Sequence, residues 1–143
     1  MSKKKRDTEM KKVTIILIFI FVVGLCACGR GNTAEVKIKP YESDLYETVD
    51  IGSAINVATQ YFENNFSGCT LTEITYAGDE ISQEYVDWAY SNNADEVIVL
   101  ISSFDVDSSG GDGSLNPNST YRNFNWILVR NNGGKWRHVN HGY

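Results

Sequence analysis

The stretch EVIVLISSFDV, Glu96 to Val106, decides how this chain folds. Val97 to Ile101 is an unbroken apolar run with β-branched residues at four of its five positions, and β-branched side chains suit a pleated backbone. A strand with one wet face alternates apolar and polar residues, so a continuous block predicts a central strand. On its C-terminal side, Asp107 to Thr120 is a polar loop with SSGGDGS and the Asn116-Pro117 turn signal. Two strands follow, Asn123 to Arg130 and Lys135 to about Tyr143, joined through Asn131-Asn132-Gly133-Gly134. Asn132-Gly133 suits a two-residue type I′ turn, which needs positive φ at both central positions. That register sets Val129 opposite Trp136 and Ile127 opposite His138.

On the N-terminal side, Thr70 to Ala77 alternates Thr72, Ile74 and Tyr76 against Leu71, Glu73 and Thr75, and predicts a second strand. Between the two strands, Ile81, Tyr85, Trp88 and Ala89 mark the apolar face of a short helix closed by Asn92-Asn93. Further upstream, Leu45, Val49, Ile55, Ala58 or Thr59, and Phe62 recur at helical spacing from Ser43 or Asp50 to about Asn64. Gly52 leaves one broken helix or two consecutive helices open. The expected class is α+β: a curved, cone-like antiparallel sheet with two or three N-terminal helices packed on one face.

The first thirty residues carry a location. Lys3, Lys4, Lys5, Arg6, Lys11 and Lys12 precede the apolar run VTIILIFIFVVGL, Val13 to Leu25, the pattern of an export signal. Leu25-Cys26-Ala27-Cys28-Gly29 resembles the bacterial lipobox, in which a small residue precedes the cysteine that is cleaved at and lipidated. Cys28 fits; Cys26 fits poorly, because Leu25 would take the small-residue position. The competing reading is an uncleaved anchor, and 13 apolar residues are short against the roughly 20 that span a bilayer. The expected organisation is a lipoprotein signal peptide over 1–27, a polar tether over 28–40 and a single α+β domain over 41–143.

Removing the signal leaves seven Lys and Arg against sixteen Asp and Glu, a formal charge of −9. Such a surface repels nucleic acid and anionic headgroups, so membrane attachment is expected through lipid on Cys28. Cys69 then has no partner within the chain and is expected to pack as a small buried residue.

The order helix, strand, helix, three strands is similar to the cone-shaped nuclear-transport-factor-like fold with its polyketide-cyclase-like relatives. The stretches AINVATQYFENNFSGCTLTEITY from Ala54, ADEVIVLISSFDVDSSGGDGSLNPNSTY from Ala94 and WILVRNNGGKW from Trp126 resemble a family of small Gram-positive lipoproteins with a domain of unknown function. That resemblance implies a bent sheet around a pocket and brings no catalytic residues.

Few residues carry chemistry by pattern. His138 and His141 lie three apart on a strand, which sets them on opposite faces and argues against a shared metal. Asp105-x-Asp107-x-Ser109-Gly110 follows the opening of a calcium loop, but Asn116 stands where the bidentate Glu is needed. Tyr85, Trp88, Trp126 and Trp136 serve a core or a pocket. No catalytic, cofactor-binding or metal residue is therefore assigned, and lipidation falls to Cys28. The expected function is a non-catalytic, extracytoplasmic domain on the cell membrane that binds a protein, peptide or envelope component. Two alternatives stand beside it, a small pocket hydrolase or isomerase using an acidic residue with His138, and a structural envelope protein.

Overall fold

A computed structural model describes residues 29–143. The signal peptide assigned to 1–27 and the lipidation site Cys28 lie outside the described residues. The elements are β1 (Lys37–Ile38), α1 (Thr48–Asn65), β2 (Cys69–Tyr76), α2 (Asp79–Glu84), α3 (Val86–Ser91), β3 (Glu96–Val106), β4 (Thr120–Arg130) and β5 (Arg137–Gly142). The sheet order is β1-β2-β3-β4-β5, with β1 parallel to β2 and every other pair antiparallel.

Three expectations are corrected here. The sheet is mixed and open, with β1 and β5 at separate edges, and it does not wrap into a cone. The helices do not share one face. Ile98, Leu100, Phe104 and Val106 of β3 join Phe124, Trp126 and Leu128 of β4 beneath α1, whereas Val97, Ile127 and Val129 pack with Ala89 and Trp88 of α3 on the opposite face. Cover on both faces is the reason Val97 to Ile101 is apolar throughout. Third, residues 31–39, read as tether, lie along the domain: the Gly31 amide donates to the Glu63 carbonyl at 2.9 Å, Asn32 to Cys69 at 2.8 Å and Lys39 to Ile74 at 3.1 Å.

Helix α1 runs unbroken through Gly52, at which an added Cβ would meet open space. Its buried face is Ile51, Ala54, Ile55, Ala58 and Phe62. Leu45 and Val49, expected on that face, are exposed. Tyr85 divides the second helical stretch into α2 and α3, and Ile81 points outward while the Ser82 hydroxyl, buried, accepts the Val99 amide at 3.0 Å.

Bulges rephase three strand pairs. One between Leu71 and Glu73 lets Cys69 and Leu71, then Ile74 and Tyr76, all turn inward. Another adjoins Asn123, whose φ is +56°, and a third falls where β4 meets β5 between Ile127 and Leu128. The β4–β5 turn has the expected positive φ at Asn132 and Gly133, closed by Gly134 N–H to Asn131 C=O at 2.9 Å. The register differs by one from expectation, with Val129 opposite Arg137 and Leu128 opposite His138, because pairing resumes only after Trp136. Trp136 accordingly buries beneath α1, beside Tyr46, and not against Val129 and Ile127.

Candidate functional site

The C-terminal turn of α1, the start of β2, the end of β5 and the loop 107–119 enclose a cleft of about 310 Å³. Tyr61, Phe66, Phe124 and Leu115 give it apolar walls, and Asn65, Ser67, Asp112, Ser114 and His141 give it polar ones. Helical phase explains the first wall: Phe62 is committed to the core, so Tyr61 and Phe66 flank it at the helix edge. Tyr61 and Phe66 each set a ring beside Trp126, at centroid distances of 6.1 and 5.4 Å.

The loop reaches the cleft by close backbone approach. Gly68 has φ +71°, and an added Cβ would sit 2.6 Å from Ser109 Oγ and 2.9 Å from an Asp107 oxygen. Gly111 likewise packs toward Ser67 and Cys69. At Gly68 both the positive φ and the close approach favour glycine, and at Gly111 the φ of +68° does. Asp107 accepts the Ser109 hydroxyl and also its amide, the amide at 2.8 Å, and Asp112 accepts the Ser114 hydroxyl at 2.5 Å and its amide at 3.0 Å. Those bonds hold both carboxyls below the ordinary carboxylate range. Asp105 accepts the Thr120 hydroxyl across the sheet at 2.6 Å. The three carboxylates thus serve three separate local turns and pairs. Among the described residues, no group of three or more His, Cys, Asp or Glu is disposed to hold a metal ion.

The histidines depart most from expectation. Val139 is the extra residue at the third bulge, so His138 opposes Leu128 and His141 opposes Trp126, and both rings turn to the α1 face. His138 Nε2 and His141 Nδ1 are 3.1 Å apart, close enough for one to donate and the other to accept. Tyr61 lies against His138 with centroids 4.0 Å apart. Burial first, and then the neighbouring His141, push His138 down to about 4; burial also lowers His141. No carboxylate among the described residues is hydrogen-bonded to either ring, so the His138 and acidic-residue pairing of the enzyme alternative is not assembled.

Cys69 also borders the cleft. Burial, then the charges of Asp107 and Asp112, raise its thiol to about 11, and its Sγ lies 3.7 Å from the Ser67 carbonyl it donates to. A thiol so held is protonated at neutral pH and a poor nucleophile. Of the four aromatic residues singled out by sequence, Trp126 and Trp136 are core, and Tyr85 and Trp88 pack beneath the opposite face.

Sequence reasoning missed Tyr61, Phe66, Leu115 and Phe124 as cleft walls. The signal available was the aromatic spacing Tyr61, Phe62, Phe66, which places more rings on the last turn of α1 and its capping residue than one core stripe can take. It also missed Arg130 at the far end of β4. There Nε and Nη2 grip Glu96 at 2.9 and 3.1 Å, Nη1 holds Asp50 at 2.6 Å, and the guanidinium lies 4.2 Å from the Trp136 ring.

No family model, curated protein or solved structure matches the chain. The resemblance to a Gram-positive lipoprotein family is not upheld, and the open mixed sheet removes its cone-fold companion. The fold and cleft define a small α+β domain with an open five-stranded sheet. No helix among the described residues is long and apolar enough to cross a membrane.

Proposed function

We propose that the chain is a lipid-anchored, extracytoplasmic domain that works by binding in the cleft beside Tyr61, Phe66 and His141. The observation that carries binding over catalysis is the state of the reactive groups in and beside the cleft. The Cys69 thiol is held protonated, the two imidazoles face each other, and Asp107 and Asp112 are occupied by Ser109 and Ser114. General acid–base work requires a group poised near the working pH and within reach of a reacting proton, and these groups are displaced from that condition in both directions. Aromatic walls with a few amide, hydroxyl and imidazole groups suit a small ligand with an apolar ring or chain and a neutral polar end. Anchoring rests on the export signal and on Cys28 with Ala27 before it.

Two experiments test this. Metabolic labelling with a radiolabelled fatty acid should mark the wild type and Cys26→Ser and fail on Cys28→Ser; equal labelling of all three removes the anchor. Hydrolysis of a generic ester or amide substrate, abolished in His141→Gln, would replace binding with catalysis.

A further inference from the structure

The distance between the anchor and the folded body fixes which end of the domain meets the membrane. Gly31 is buried, its amide donates to Glu63 C=O at 2.9 Å, and a Cβ there would lie 2.6 Å from Phe62 O and under 3 Å from the Phe62 ring. Asn32 then bridges to Thr70 at the start of β2. Gly31 is therefore locked to the domain, three residues after Cys28, and three residues of chain span at most about 10 Å.

The locked point lies at one end of the sheet. Cys69 opposes Val106, Asp105 opposes Thr120, and the loop 107–119 folds back onto Gly68, so all of these share the end at which Gly31 docks. Glu96, Arg130 and the turn at Asn132 and Gly133 occupy the other end, the eleven residues of β3 away, or about 33 Å.

We infer that the end built by Asn65 to Cys69 and the loop 107–119 is the membrane-facing surface of this domain, apposed to the lipid headgroups by the short connection from Cys28 to Gly31. The inference rests on the anchor reading above. The cleft lies at this same end, so its ligand is one met at the membrane–water interface. The covalent lipid alone supplies the hold: the 107–119 segment contains Asp107 and Asp112 and no Lys or Arg, and offers anionic headgroups no attraction.

The test uses the full chain, lipidated in a bacterial host and reconstituted into vesicles of phosphatidylglycerol and phosphatidylethanolamine. Single cysteines replace exposed Ser108 at the near end or exposed Lys135 at the far end. Lipid blocks Cys28 and burial protects Cys69, so a fluorophore goes to the new thiol. Energy transfer to a headgroup-labelled acceptor lipid should be several-fold greater from Ser108→Cys than from Lys135→Cys. Inserting ten Gly and Ser residues between Gly29 and Arg30 should shrink that difference while the protein still floats with the vesicles. Flotation with equal transfer from both sites, or a difference that survives the insertion unchanged, overturns the inference alone. A protein that does not float overturns the anchor reading and this inference together.

Discussion

His138 Nε2 lies 3.1 Å from His141 Nδ1, and the contact exists because Val139 is an extra residue in β5. The pair gives a pH signature. His138 titrates at about 4 in the folded protein against an ordinary 6.5, so the unfolded chain takes up a proton that the folded ring refuses. Its contribution to stability is whole above 6.5, declines as pH falls toward 4 and levels off below that. His141, also lowered by burial, acts in the same direction. The depressed carboxyls Asp50, Asp79, Asp107 and Asp112 lose their contributions only below their ordinary 3.8. Urea midpoints should thus drop between pH 6.5 and 4, and His138→Gln should flatten that drop; an unchanged slope in the variant would assign it elsewhere.

Trp136→Ala should cost about 3–5 kcal/mol, as for other fully buried large aromatics. The indole is 4 % exposed, its Nε1–H donates to Asp50 C=O at 3.0 Å, and its ring meets Tyr46 edge-on. Denaturant titration measures this, and a change under 1 kcal/mol would place the ring outside the core.

Arg130→Met should destabilise by about 3 kcal/mol, because Glu96 and Asp50 are left facing each other across a partly dry site. Arg130→Lys should recover only part of this, since an ammonium cannot grip Glu96 through two parallel bonds. Full recovery by lysine would show that charge alone matters there.

Gly31→Ala forces a methyl group into Phe62 and should cost about 1–3 kcal/mol if the segment stays docked. Hydrogen exchange discriminates: amides of Asn32 and Lys39 should lose protection while those of β3 keep theirs. Retained protection at Asn32 would mean that α1 shifts to accommodate the methyl.

Millimolar calcium should leave the thermal midpoint unchanged beyond the ionic-strength effect of sodium chloride. Asp107 and Asp112 already hold serine hydroxyls, and Asp105 faces Thr120. A ligand bound only by the folded state would raise the midpoint by linkage. A saturable rise, lost in Asp107→Asn, would contradict this.

The run of Val97 to Ile101, the helix ending near Asn64 and the positive-φ turn at Asn132-Gly133 were legible because each obeys a local rule of period or dihedral. The three bulges were not. A bulge reverses the in–out parity of everything beyond it, and no residue at Thr72, Asn123 or Val139 announces one to a reader counting in twos. The same parity error separated His138 from His141. Strand β1 escaped notice because its two residues, Lys37 and Ile38, are both exposed and show no apolar pattern. The second face went unread because Ala89 and Val97, which pack there, fit a one-faced layout equally well.

The sheet order repeats the order of its strands in the chain, and this bears on the sequence of events during folding. From β2 to β5 each strand pairs with its successor, so the ladder can zip without waiting for distant segments. The upstream segment that feeds β1 is the exception, since Gly31 and Asn32 need α1 and the start of β2 already in place before they gain a partner. That stretch is consequently captured only after α1 and the start of β2 have formed. A chain caught before that step would carry a free upstream segment beside a ladder already paired from strand to strand.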